Sequence, residues 1–151
     1  MNAVITKLIP WETPFTAASF PSVGLLIATK SDGADLLKAL VAPKGIDQYP
    51  KYLVDFGEVI AFSCMEEAYA PEQNFVHASD DDRSLCAYES LESPLLASYV
   101  SWAPIYFGNE SDSFYHYLIF GGDNNIEVIT PNRPVIETIS QKRTLTIDYE
   151  L

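Results

Sequence analysis

The stretch that most restricts the fold is Lys51–Met65, KYLVDFGEVIAFSCM, fifteen residues of almost unbroken strand-forming character. A strand of that length is far beyond the usual five or six residues, so the run has to turn or bend. Gly57-Glu58 lies at its middle and fits the Gly-X pattern of a two-residue type II′ turn. In the hairpin this predicts, Phe56, Val54 and Tyr52 pair with Val59, Ala61 and Ser63. Asp55, Leu53 and Lys51 pair with Ile60, Phe62 and Cys64 on the other face. A glycine bulge inside one longer strand is the alternative.

Around this run the chain reads as a mixture of strands and helices. Prolines 10, 14 and 21 break up the N-terminal stretch. Val23–Thr29 is a short apolar run suited to a buried strand. In SDGADLLKALVAPKG, Ser31 or Asp32 can cap a helix, Leu36, Leu37, Leu40 and Val41 form its stripe, and Pro43 with Gly45 ends it. Residues 70–91, with HASDDDRS, read as a solvated loop. ESPLLASYVSWAP predicts a second helix with Ser93 as N-cap, Pro94 at its first position and Pro104 closing it. SFYHYLIFGGDNNIEVIT predicts a hairpin turning at Gly121–Asn125, and TLTIDYE a half-buried strand. Two helices among hairpin-linked strands give a single α+β domain over 1–151 with a mainly antiparallel sheet. No GxGxxG or Walker-type loop supports a doubly wound fold.

Charge narrows the partners. The net charge is −12, and Tyr52–Asn132 has fourteen acids against one base, Arg83. Binding a phosphate backbone requires Lys and Arg clusters, so nucleic acid and anionic membrane are disfavoured, while a basic protein is electrostatically suited. No apolar run approaches the roughly eighteen residues that span a bilayer, and the N-terminus lacks the layout of an export signal. The expected location is the cytoplasm, where Cys64 and Cys86 would be free thiols; in an oxidising compartment a single disulfide is the alternative. Their spacing is not that of a zinc motif, and no cofactor is expected.

Candidate chemistry is sparse. Glu66 and Glu67 are adjacent, so they diverge on a strand or a helix and cannot share a proton. Cys64 lies among acids, which raise rather than lower a thiol pKa. His77 with Asp80, Asp81 and Asp82 lacks the pattern of a calcium loop and reads as a solvated run. His116 falls on one face of its strand with Phe114, Leu118 and Phe120, and Tyr115 and Tyr117 on the other with Ile119. It is the first choice for a pocket, with Tyr115, Tyr117 and Glu67 around it. No GxSxG, HExxH or kinase signature occurs. Trp102, Tyr106, Phe107, Phe114, Tyr115 and Tyr117 crowd into sixteen positions, enough to anchor a binding face.

YLVDFGEVIAFSCMEEAYA and YHYLIFGGDNNIEVITPNRPVIE together resemble a pattern found in small bacterial proteins, some of them immunity-like members of toxin systems. The matching positions are Tyr52, Phe56, Ala61, Phe62 and Glu67, then His116, Tyr117, Val128 and Pro134, with Glu127 where an Asp is usual. The resemblance implies a binding protein without catalytic residues. The expected function is therefore non-enzymatic protein interaction. Glu66, Glu67, Asp80, Asp81 and Asp82 would steer onto a basic partner, and Trp102 and Tyr106 would anchor it. The competing expectation is a small-molecule site or enzyme pocket at His116, and a third is self-association through the aromatic patch.

Overall fold

The computed structural model describes residues 6–43, 51–66, 75–98, 114–122 and 124–139. Ten strands run in chain order: β1 (Thr6–Pro10), β2 (Ser22–Thr29), β3 (Asp35–Ala42), β4 (Tyr52–Glu58), β5 (Ala61–Glu66), β6 (Phe75–His77), β7 (Ala87–Glu92), β8 (Tyr115–Phe120), β9 (Asn124–Thr130) and β10 (Val135–Thr138). They form a six-stranded sheet ordered β5-β9-β8-β7-β1-β6 and a four-stranded sheet ordered β10-β4-β3-β2. Every pairing is antiparallel except β1 with β6.

The two sheets close on one core. Val23, Leu37, Ala39, Val41, Val54 and Phe56 come from the smaller sheet, and Ala87, Tyr117, Ile119, Ile126 and Val128 from the larger. Trp11 and Phe15, from the segment linking β1 to β2, plug the space between them. Alternation explains the selection: on β3 the fully buried Leu37, Ala39 and Val41 are two residues apart. Each large side chain removed from water in this way contributes about 1.5–3 kcal/mol.

This β-sandwich replaces the α+β domain with two helices expected from the sequence. The helix expected over 31–43 is instead a turn followed by β3, which pairs with β2 from Thr29↔Asp35 to Ser22↔Ala42. Gly33 takes φ +89°, its N–H donates to Lys30 O, and Asp32 accepts from Ala34 N, so the would-be helix cap closes a hairpin. Leu36, Leu37, Leu40 and Val41 fit a helical stripe, but Leu37, Ala39 and Val41 fit a period of two equally well. Central placement between β2 and β4 decides for the strand.

The hairpin expected at Gly57-Glu58 is also absent: β4 pairs with β3 and β10, and β5 pairs with β9 in the other sheet. Gly57 (φ +67°) lies beside a bulge, where Leu37↔Gly57 and Lys38↔Asp55 leave Phe56 as the extra residue. Just beyond it, Val59 N donates to Asp35 O and Ile60 N to Ile129 O, so the chain crosses between sheets within two residues. Thr130 fastens this crossing, its buried hydroxyl lying 3.1 Å from the carbonyls of Phe56 and Glu58.

The loop expected over 70–91 contains β6, a 3₁₀ helix (Asp80–Ser84) and most of β7. The β8–β9 hairpin has the expected place, with Phe120↔Asn125 next to its turn. Of the second helix, only 94–98 are described; they make one helical turn in which Ser93 Oγ accepts from Leu96 N. The remainder of that helix and the strand expected in TLTIDYE lie outside the described residues. Among the described residues, no helix is long and apolar enough to cross a membrane.

Candidate functional site

On the face of the six-stranded sheet turned away from the shared core, a second cluster gathers Leu8, Tyr88 and Leu118, with Phe75, Leu85 and Phe120 against it. Above this cluster is a cleft of about 440 Å³, within the range of small-molecule sites. One wall is a continuous run of rings. Phe75 and Phe120 have centroids 5.5 Å apart, Phe120 and Tyr88 5.5 Å, and Tyr88 and His77 5.0 Å.

The opposite wall depends on two glycines. A Cβ on Gly121 would stand 2.6 Å from Asn124 O and 2.8 Å from Pro21 O, and one on Gly122 would stand 3.0 Å from Phe20 Cβ. Their absence lets the 18–21 segment lie against the β8–β9 turn, where Gly122 N donates to Pro21 O at 2.9 Å. Phe20 is held there with φ 49°, a left-handed backbone uncommon for a non-glycine residue, and its ring is 61% exposed at the rim.

The 3₁₀ helix supplies the charge. Tyr88 Oη donates toward Asp82 O and Leu85 O, fastening the helix to β7, and burial pushes the Tyr88 phenol pKa up. From this helix Arg83 lines the cleft together with Asn125 and His77, and among the described residues no carboxylate lines it. Arg83 Nε is 3.3 Å from Asp80 Oδ1, an exposed pair of the kind that contributes little and leaves other guanidinium donors available. Burial, with the Arg83 charge adding to it, holds the His77 imidazole below its usual pKa, so it is neutral at pH 7. Its Nδ1 is sealed from water without a hydrogen-bond partner, a cost of about 1–3 kcal/mol. Cys86, buried and lining the cleft, donates to Phe15 O, and burial raises its thiol pKa to about 11, which keeps it protonated at neutral pH.

The residues singled out from the sequence are dispersed. On the 3₁₀ helix Asp80 and Asp81 are exposed and Asp82 is half-buried. Glu66 ends β5, which lies at the opposite edge of the sheet from β6, the strand before the 3₁₀ helix. Glu67, Trp102 and Tyr106 lie outside the described residues. His116 is buried, with Nε2 2.7 Å from Glu127 Oε1 and Nδ1 2.7 Å from Ser93 Oγ. Tyr117 is on the other face, packed on Trp11 at 4.7 Å, and burial raises its phenol pKa to about 12. Tyr115 has the Arg133 guanidinium 4.6 Å over its ring. The strand therefore holds His116 apart from both tyrosines. Neither cysteine is in a disulfide, and among the described residues no three His, Cys, Asp or Glu are placed to hold a metal ion.

The sequence reading missed the cleft residues Phe20, Phe75, Arg83, Tyr88, Phe120 and Asn125. Two signals pointed there: the adjacent glycines 121 and 122, and the isolation of Arg83 as the one base among fourteen acids. Comparison with protein-family models, curated proteins and solved structures finds no match to the chain.

Proposed function

We propose that the protein is a non-enzymatic binding protein that takes a small molecule in the cleft between the β8–β9 turn and the 3₁₀ helix. The observation that carries this reading is a run of three rings, Phe75, Phe120 and Tyr88, that lines one cleft with Arg83, His77 and Asn125, an apolar surface with a few polar groups. The raised Cys86 pKa argues against thiol chemistry in the cleft.

A fragment screen followed by amide NMR tests the reading. Hits are expected to shift Gly121, Gly122 and Asn125, and Phe120→Ala is expected to abolish those shifts. Hits mapping only to other surfaces would overturn it.

A second reading, docking onto a basic protein, has support from the acidic run Asp80–Asp82 on a single turn, with Asp80 and Asp81 exposed. Because Glu66 is at the far edge, such contact centres on that turn alone. Charge reversal at all three aspartates would slow association with a captured basic partner and flatten its salt dependence. Unchanged kinetics would refute it.

A further inference from the structure

The two sheets end on four edge strands, β5 and β6 in one and β10 and β2 in the other. Three of them are short or charged. β6 has three residues, β10 has four with Glu137 among them, and β5 ends on Glu66. The fourth, β2, has eight residues, SVGLLIAT, with no charge and no proline. Among the described residues no strand pairs with its outer side. Edges of this length are ordinarily guarded by a charge, a proline or a cover, because their open amides and carbonyls recruit another strand.

Which groups are open follows from the pairing. Lys30 N donates to Ala34 O across the β2–β3 turn, so even-numbered residues of β2 turn their backbone groups toward β3. Odd-numbered residues turn outward, and at Val23 the Asn124 amide meets that side, with Nδ2 3.2 Å from the carbonyl. Leu25, Ile27 and Thr29 follow with the same orientation. Ile27 pairs with Leu37 and shares its face, yet Ile27 is 47% exposed while Leu37 is fully buried. The sandwich is uncovered along this margin.

We propose that a second copy of this chain adds its own β2 there, antiparallel about a two-fold axis at Ile27. Ile27 then pairs with Ile27 of the second copy, and Leu25 with Thr29, which engages all three outward residues of both strands. Val23 is left to Asn124, and each chain turns away at Lys30, opposite Gly24. The pairing is self-complementary, because one strand offers donors and acceptors to the same strand reversed. Charge selects this site. The chain carries −12, but Met1–Lys51 holds five Lys against four acids. On the same sheet Glu58 is paired with Lys30 at 2.6 Å and Asp55 with Lys38 at 3.8 Å. Copies that repel each other through their acidic middle can meet along an uncharged strand, where the two Ile27 side chains cover each other.

The test is sedimentation of the full chain from about 1 µM to about 1 mM, with amide exchange followed by NMR. One added strand is a small contact, so a dimer forming at about 10–100 µM is expected. Exchange at the Leu25, Ile27 and Thr29 amides should slow severalfold with concentration, while Leu26 and Ala28, already turned to β3, stay unchanged. Ile27→Pro removes an N–H that β3 does not use, a change that edge strands accommodate, so it should keep the fold and lose the dimer. A chain that is monomeric at about 1 mM overturns the proposal and leaves the edge to a foreign strand. A dimer that Ile27→Pro leaves intact also overturns it. So does a dimer of the unaltered chain in which those three amides exchange as fast as in the monomer, a result that needs no variant to fold.

Discussion

His116 shows how much a single side chain can hold together. Its two ring nitrogens join Glu127 on β9 to Ser93, which also caps the helical turn after β7. Removing the ring strands two polar partners in a buried place, so His116→Ala should cost about 2–4 kcal/mol, read as a lower urea midpoint with unchanged slope. His77 behaves differently. Its folded pKa is depressed below 6.5, so the unfolded chain binds the proton more readily. The stability associated with neutral His77 is full above pH 6.5 and is lost as pH falls through the folded pKa. His77→Phe should flatten that part of the stability–pH curve, measured by thermal melts across the window. The face His116 occupies could be read from alternation, because Leu118 and Phe120 share it. Its partners could not, since Ser93 and Glu127 meet it only through the β7–β8 and β8–β9 registers.

Among elements, the β2–β3 and β8–β9 hairpins differ in how their glycines matter. Gly33 needs its positive φ but has open space around it, so Gly33→Ala should cost about 1–2 kcal/mol from backbone strain alone. Gly121 lies against two backbone carbonyls, so Gly121→Ala must displace either the turn or the Pro21 segment. It should cost more than Gly33→Ala and disturb Phe20 at the cleft entrance. Denaturant titration of both variants, with NMR shifts at Phe20, checks the order. The β8–β9 hairpin was legible because glycines and asparagines separate two apolar runs. DLLKALVA was not, because a run of eight residues satisfies both periods and its neighbours choose between them. At Gly57 the bend was legible, but its kind was not. A turn and a bulge use the same residue, and only the partners of β5 distinguish them.

For the whole molecule, the pairings join distant parts of the chain. Tyr52 pairs with Thr138, Ala61 with Ile129, and Leu8 with His77. Such non-local pairing requires loop closure before contacts form, so refolding should take milliseconds to seconds rather than microseconds. Stopped-flow tryptophan fluorescence, with Trp11 in the shared core, tests this. The charge distribution was legible as a count but not as a place. That Arg83 and its three neighbouring aspartates would share one turn beside the cleft depends on the hydroxyl of Tyr88 fixing the 3₁₀ helix to β7. The crossing at Val59 and Ile60 has a consequence of another kind. Two consecutive amides are each held by a different layer, one by Asp35 of the smaller sheet and one by Ile129 of the larger. Their hydrogen–deuterium exchange rates are a pair of clocks on neighbouring residues, each timing the opening of its own layer.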